Sequence, residues 1–133
     1  MLLQESVRAV CEAAGWRVPP ADEEGRYAFS LENGLNFTLS SPDGSRLLAY
    51  AVLLAPAKGR EIGAELVASV LSATTGRFSR LRAVPTLEPL TGALAIYAFT
   101  DLRGVDAERA ESFVEGFLND LAFWKAQPWL TTA

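Results

Sequence analysis

Residues 27–54 read YAFSLENGLNFTLSSPDGSRLLAYAVLL. Apolar and polar residues alternate through the first half, the period of strands that lay one face on a core. Tyr27, Phe29 and Leu31 alternate with Ala28, Ser30 and Glu32; Leu35, Phe37 and Leu39 alternate with Asn36, Thr38 and Ser40. A two-residue turn at Asn33-Gly34 would set Leu31 against Asn36 and mix the two faces. A three-residue loop, Glu32-Asn33-Gly34, instead pairs Leu31 with Leu35, Phe29 with Phe37 and Tyr27 with Leu39. Such a loop is a type I turn closed by a left-handed residue, and Gly34 supplies that conformation at no steric cost. Pro42-Asp43-Gly44 repeats the device, with Ser41 expected opposite Ser45 and Leu39 opposite Leu47. Short turns of this kind force antiparallel pairing.

The third strand, Arg46 to Leu54, is apolar on both faces. Leu47, Ala49, Ala51 and Leu53 continue the apolar face of the first two strands. Leu48, Tyr50, Val52 and Leu54 point to the side where those strands are polar. Two readings follow: a central strand whose second face a helix partly covers, or a surface left for a partner.

Outward from the meander, helical periodicity takes over. Leu3, Val7, Val10, Cys11 and Ala14 predict a helix over residues 2–14, with Gly15 as its stop. Residues 16–25 read as a loop broken at Pro19-Pro20. A second helix is expected from about Gly59 to Thr74, with Ile62, Leu66, Val67, Val70 and Leu71 as its apolar stripe. A fourth strand is read over Phe78 to Leu87. Pro85 puts it at a sheet edge because proline has no ladder donor, and Arg80 and Arg82 share a face with Phe78 and Val84. The fifth strand, Ala93 to Thr100, carries Leu94 and Ile96 on one side and Tyr97 and Phe99 on the other, so it is internal. Asp106 is a good N-cap for the last helix, and Glu108 favours its dipole. Phe113, Val114, Phe117, Leu118, Leu121 and Trp124 form the apolar face of that helix, and Pro128 ends it. Burying those six side chains is worth roughly 10–15 kcal/mol before entropy is subtracted. The fold class is therefore α+β: one five-stranded, mostly antiparallel twisted sheet with three helices, in a single domain over residues 1–133.

Composition removes most chemistry. The 133 residues contain no histidine and one cysteine, so catalytic triads, Cys-His pairs and histidine metal sites are excluded. Cys11 sits in the apolar stripe of the first helix and reads as a small buried hydrophobe. No Gly-rich phosphate loop and no nucleophile-elbow motif is present. Glu108, Glu111 and Glu115 read as a solvated face, since nothing nearby would split their pKa values. Sixteen acidic against twelve basic residues, net −4, argue against binding a nucleic-acid backbone. The longest uncharged apolar run, residues 47–57, is about half of a membrane span. With no signal-peptide pattern, a cytoplasmic, non-enzymatic binding protein that needs no cofactor and no metal is expected.

The order of elements, the turns at residues 32–34 and 42–44, the stretches YAFSLENGLNFTLS and LLAYAVLLAP, and the amphipathic last helix ending near Trp124 carry a resemblance. Over nearly the whole chain they resemble the class I type III secretion chaperones, the Tir and SycE type. The likeness rests on order, size, acidity and texture, because that family has no invariant ligand motif. It implies a homodimer that holds the extended N-terminal segment of a secreted effector and presents it to the secretion apparatus, without ATPase activity. In this chain the dimer interface is then expected at Ile62, Leu66, Val70, Leu81 and Val84, on the second helix and the edge strand. Apolar effector-binding surface is expected at Leu2, Leu3, Leu48, Tyr50 and Val52. Arg80 and Arg82 depart from the pattern by charging the edge strand. A same-fold regulator of the YbjN-like type, or a small-molecule-binding α+β domain with an enclosed polar pocket, would share this sequence texture.

Overall fold

A computed structural model describes residues 1–57, 60–77 and 82–131. The elements are α1 (Leu3–Ala14), β1 (Tyr27–Ser30), β2 (Asn36–Ser40), β3 (Arg46–Leu54), α2 (Ala64–Arg77), β4 (Val84–Leu87), β5 (Leu94–Asp101), a 3-10 turn (Leu102–Gly104), α3 (Ala107–Lys125) and a one-turn helix α4 (Pro128–Thr131). The strands form one sheet in the order β1-β2-β3-β5-β4, and every neighbouring pair is antiparallel. The expected class and strand placement hold, with β4 at an edge and β5 inside.

The first hairpin has the expected register. Tyr27 faces Leu39 and Phe29 faces Phe37. Leu31 N–H donates to the Leu35 carbonyl at 2.9 Å, and Gly34 sits at φ 85°. The second hairpin differs from expectation by two residues: Leu39 faces Ala49, not Leu47. The reason is the Asp43 side chain, which accepts from the backbone N–H of both Ser45 and Arg46 at 3.0 Å. The Ser45 carbonyl meanwhile accepts from Leu102 N–H. With both backbone groups of Ser45 engaged elsewhere, it cannot pair with Ser41, and the ladder starts further on. Because the slip is by two, face assignment survives.

Other boundaries shift for local reasons. The second helix begins at Ala64 rather than near Gly59; Arg60 N–H closes a turn onto the Ala57 carbonyl, and Gly63 stays outside the helix interior, where it would cost about 1 kcal/mol. Leu66 and Val70 are buried but Leu71 is 61% exposed, so the apolar stripe is narrower than expected. β4 starts only at Val84; Phe78 to Leu81 lie outside the described residues. Arg82 precedes the strand because its N–H and that of Ala83 donate to the buried Asp120 carboxylate of α3, at 2.9 and 2.8 Å. Pro128 does more than end α3: it opens α4, as a residue without N–H can at a first helical position.

The core lies on one face of the sheet. Val7, Val10 and Cys11 of α1 meet Val114, Phe117, Leu121 and Trp124 of α3 over Tyr27, Phe29, Phe37, Leu39, Leu47, Ala49 and Ala51. Leu66 and Val70 of α2 join the same cluster. Phe29 and Phe37 stack at 4.8 Å, Trp16 packs against both, and Phe37 reaches Phe117. α3 is held at its start by Asp106, which accepts from Arg109 N–H. At its end, the Lys125 ammonium donates to the Leu53 carbonyl where β3 bulges against β5.

Two expected outcomes test this account. Asp120→Leu strands the buried Ala83 N–H and the part-buried Arg82 N–H and should lower the unfolding free energy by about 2–4 kcal/mol in urea titrations, with Asp120→Asn milder. The Asp43 carboxyl is held well below the usual carboxylate range, first by Ser45 N–H and then by the Arg46 side chain and N–H. Because the folded value is depressed, this stabilisation is complete above about pH 4 and is lost as pH falls from there toward the folded value. Wild type should therefore lose stability more steeply than Asp43→Asn on acidification; parallel curves would refute the assignment.

Candidate functional site

The second face of the sheet carries the other half of each strand. Pairing brings Leu48 opposite Phe99, Tyr50 opposite Tyr97 and Val52 opposite Ala95, with Val84 of β4 beside Tyr97. Val52, Val84 and Phe99 are 40–51% exposed, while Leu48, Tyr50 and Tyr97 are half-buried. The second face of β3 is thus partly open to solvent. Among the described residues the apolar part of the face runs over β3, β5 and Val84 of β4; on β1 and β2 it presents Ala28, Ser30, Asn36 and Thr38.

Several contacts order this face. The Arg46 guanidinium lies 4.5 Å over the Phe99 ring, with its Nε on Asp43 at 2.8 Å. Tyr97 and Phe99 stack in parallel at 6.4 Å. The Tyr50 hydroxyl donates to Glu88 at 2.5 Å, a bond that crosses β5. Burial, then the Glu88 carboxylate, pushes the Tyr50 hydroxyl up to about 12. Tyr50 is therefore an anchored part of the surface.

Leu2 and Leu3 are not brought to this face. Leu3 packs against the core, and Leu2, 69% exposed before α1, borders a separate hollow of about 340 Å³ with Gly44, Ser45 and Leu102. On α2, Ile62 is half-buried and precedes the helix, while Leu66 and Val70 face inward; Val84 is exposed, and Leu81 lies outside the described residues. The Cys11 thiol is buried, which raises its pKa.

Sequence reasoning missed a groove at the β1 edge. Trp16, Val18, Pro19, Pro20, Leu31 and Leu118 are among the residues lining an open cleft of about 870 Å³ on the core side of that edge. A shallower hollow of about 410 Å³ lies on the opposite side, reaching Thr38, Tyr50 and Val52. The two share Ala28, Phe29 and Ser30, so they flank β1. The signal was present in Trp16 and Val18, large apolar residues in a stretch read only as loop.

β1 itself is an edge. Ala21 bridges Tyr27, covering the start; among the described residues nothing pairs further along. Since Leu31 bonds to β2, the alternation of an antiparallel ladder points the N–H and carbonyl of Ser30 outward. Among the described residues no cluster of metal-ligating side chains occurs, and no helix is long and apolar enough to cross a membrane.

Known proteins agree with this architecture. No curated protein matches the chain by sequence. Among solved structures, the ExsC-ExsE complex contains a chain 22% identical, with 93% of each chain covered and a TM-score of 0.66. The HopA1-SchA chaperone-effector complex gives 15% identity, 93% of each chain and a TM-score of 0.70. The Yersinia pestis type III secretion chaperone SycH, in complex with a stable fragment of YscM2, gives 12% identity, 90% of this chain, 96% of that one and a TM-score of 0.60. These likenesses establish the fold. The family profile described as Tir chaperone protein (CesT) matches residues 15–125, from the loop before β1 to the last residue of α3, and to that family this chain belongs.

Proposed function

We propose that this protein is a cytoplasmic type III secretion chaperone, a single domain over residues 1–133. It binds the N-terminal segment of an effector, keeps it competent for secretion and presents it to the secretion apparatus. It does so as a binding protein, without catalysis or cofactor. Membership of the chaperone family supports this, as do structural neighbours captured with effectors or partner fragments.

The observation that carries the reading is the β1 edge with a groove on each side. An extended client segment added there satisfies its backbone on the outward groups of Ser30. Its side chains alternate in direction, one set entering the cleft of Trp16, Val18 and Leu118, the other lying toward Thr38, Tyr50 and Val52. Leu48 extends that second surface, and Leu2, with Leu3 behind it, offers a further apolar contact beyond the end of β3.

The chaperone acts as a homodimer across β4, at the end of the sheet opposite β1. Val84 and Ile62 supply contact there, while Leu66 and Val70 hold α2 from inside the protomer's own core.

Two outcomes are expected. Ser30→Pro removes one outward donor and no ladder bond, and Val18→Asp charges the cleft. Each should weaken binding of the secreted protein encoded beside this gene by at least about tenfold in calorimetry, with the unfolding midpoint unchanged. Unaltered affinity in both would remove β1 as the client edge. For the dimer, wild type should sediment as two chains at micromolar concentration and Val84→Arg as one; a monomeric wild type would overturn the interface.

A further inference from the structure

We propose that Pro85 and Asp120 close the β4 edge to any added strand, so that this end of the sheet is met through packed side chains and never through backbone pairing. What the closure means for binding rests on the chaperone and homodimer reading. The closure itself follows from where the backbone donors of residues 82–88 point. Two bonds fix the alternation of the ladder. Leu102 N–H donates to the Ser45 carbonyl, which continues the β3–β5 register and turns Ile96, Ala98 and Thr100 to β3. Glu88 N–H donates to the Ala93 carbonyl at 2.8 Å, which continues the β4–β5 register and turns Ala95 and Tyr97 to β4. The two agree: Val84 and Thr86 face β5 with their backbone groups, and positions 85 and 87 face outward.

Every donor of this run is then accounted for. Arg82 and Ala83, just before the strand, both give their N–H to Oδ2 of the buried Asp120, at 2.9 and 2.8 Å. Val84 and Thr86 are turned to β5, and Glu88 reaches Ala93. Pro85 has no N–H. The outward donor that remains is Leu87, the last residue of β4. An added strand would find carbonyls at Pro85 and Leu87 but a donor only at Leu87, too little to offset the backbone entropy of ordering it. β1 differs, since Ala28 and Ser30, both turned outward, each carry an N–H. The proline is also placed where it does the ladder no harm: at 84 or 86 it would remove a bond to β5, and at 85 it removes only an outward group. What β4 does offer is side-chain surface, with Val84 and Leu87 47% and 44% exposed. That suits contact with a second copy made without joining the two sheets.

The test reads single amides by hydrogen exchange in the full chaperone, alone and with a purified N-terminal fragment of the secreted protein encoded beside this gene. In wild type the Leu87 amide should exchange freely in both states, while those of Arg82 and Ala83 are protected by Asp120. Protection of Leu87 by at least about tenfold, in the dimer or on adding the fragment, means that a strand crosses this edge and overturns the proposal. Pro85→Val supplies the missing donor and disturbs no ladder bond, so it should fold. In sedimentation it should form assemblies larger than wild type at the same concentration, with the amides at positions 85 and 87 protected. The double variant Pro85→Val/Leu87→Pro leaves one outward donor again and should return to the wild-type size. If Pro85→Val keeps the wild-type size and its new amide exchanges freely, the proline closes nothing and the proposal is wrong. If the double variant assembles as far as Pro85→Val, the donors are not the cause and the proposal is equally wrong. A wild type that sediments as a single chain removes the homodimer reading alone, because Leu87 exchange reports on the edge independently of it.

Discussion

One backbone bond, from Leu31 N–H to the Leu35 carbonyl, decides which side of the sheet is core. With Gly34 in the left-handed region it holds a loop of odd length, and odd length puts Phe29 opposite Phe37 instead of opposite a polar neighbour. Strand side chains alternate, so a change of one residue would send Tyr27, Phe29, Phe37 and Leu39 to opposite faces. The aromatic stack, the packing of Trp16 on it and the seat of Phe117 all presuppose this register. So does the exposed face, which is what remains after the core side has been chosen.

Much of this was legible because it rests on steric rules that act between near neighbours. Gly34, Asp106 and Pro85 each do what a local rule assigns: a left-handed turn, a helix cap, an edge position. The second hairpin escaped because its register is decided by a side chain. Asp43 claims the N–H groups of Ser45 and Arg46, and a residue as distant as Leu102 claims the Ser45 carbonyl. No turn rule anticipates a donor from 57 residues away (102 − 45). The start of β4 escaped for the same reason. Asp120 sits on the apolar side of α3, three residues after Phe117 and one before Leu121, and its partners are backbone groups 37 and 38 residues earlier. A carboxylate among core positions is a sign that something must satisfy it, but the sequence does not say what.

The candidate site divides along the same line. The apolar second face of β3 was visible as a violation of alternation, and the structure leaves it open. The groove beside β1 was not visible, because Trp16 and Val18 follow a helix stop and precede two prolines, the pattern of a connecting loop. Only the closed sheet shows that this loop runs beside an edge strand and forms one wall of a cleft with Leu118 of α3. Grooves made by elements far apart in sequence have no local signature.

Under the proposed reading, the energetics ask for more than the β1 edge. Ordering a four-residue client strand on β1 costs about 4–8 kcal/mol of backbone entropy. The outward groups at Ser30 contribute two hydrogen bonds, each worth about 1 kcal/mol net. Two apolar side chains seated in the cleft add about 1.5–3 kcal/mol each. The gain of about 5–8 kcal/mol only matches the ordering cost, before association itself is counted. A strand at β1 alone is therefore a weak tether. Firm holding under that reading needs further apolar contact, and the sheet has apolar side chains to offer where strand pairing is already complete. There Val52 and Phe99 are 40% and 51% exposed, so apolar side-chain surface remains although the backbone groups are already paired.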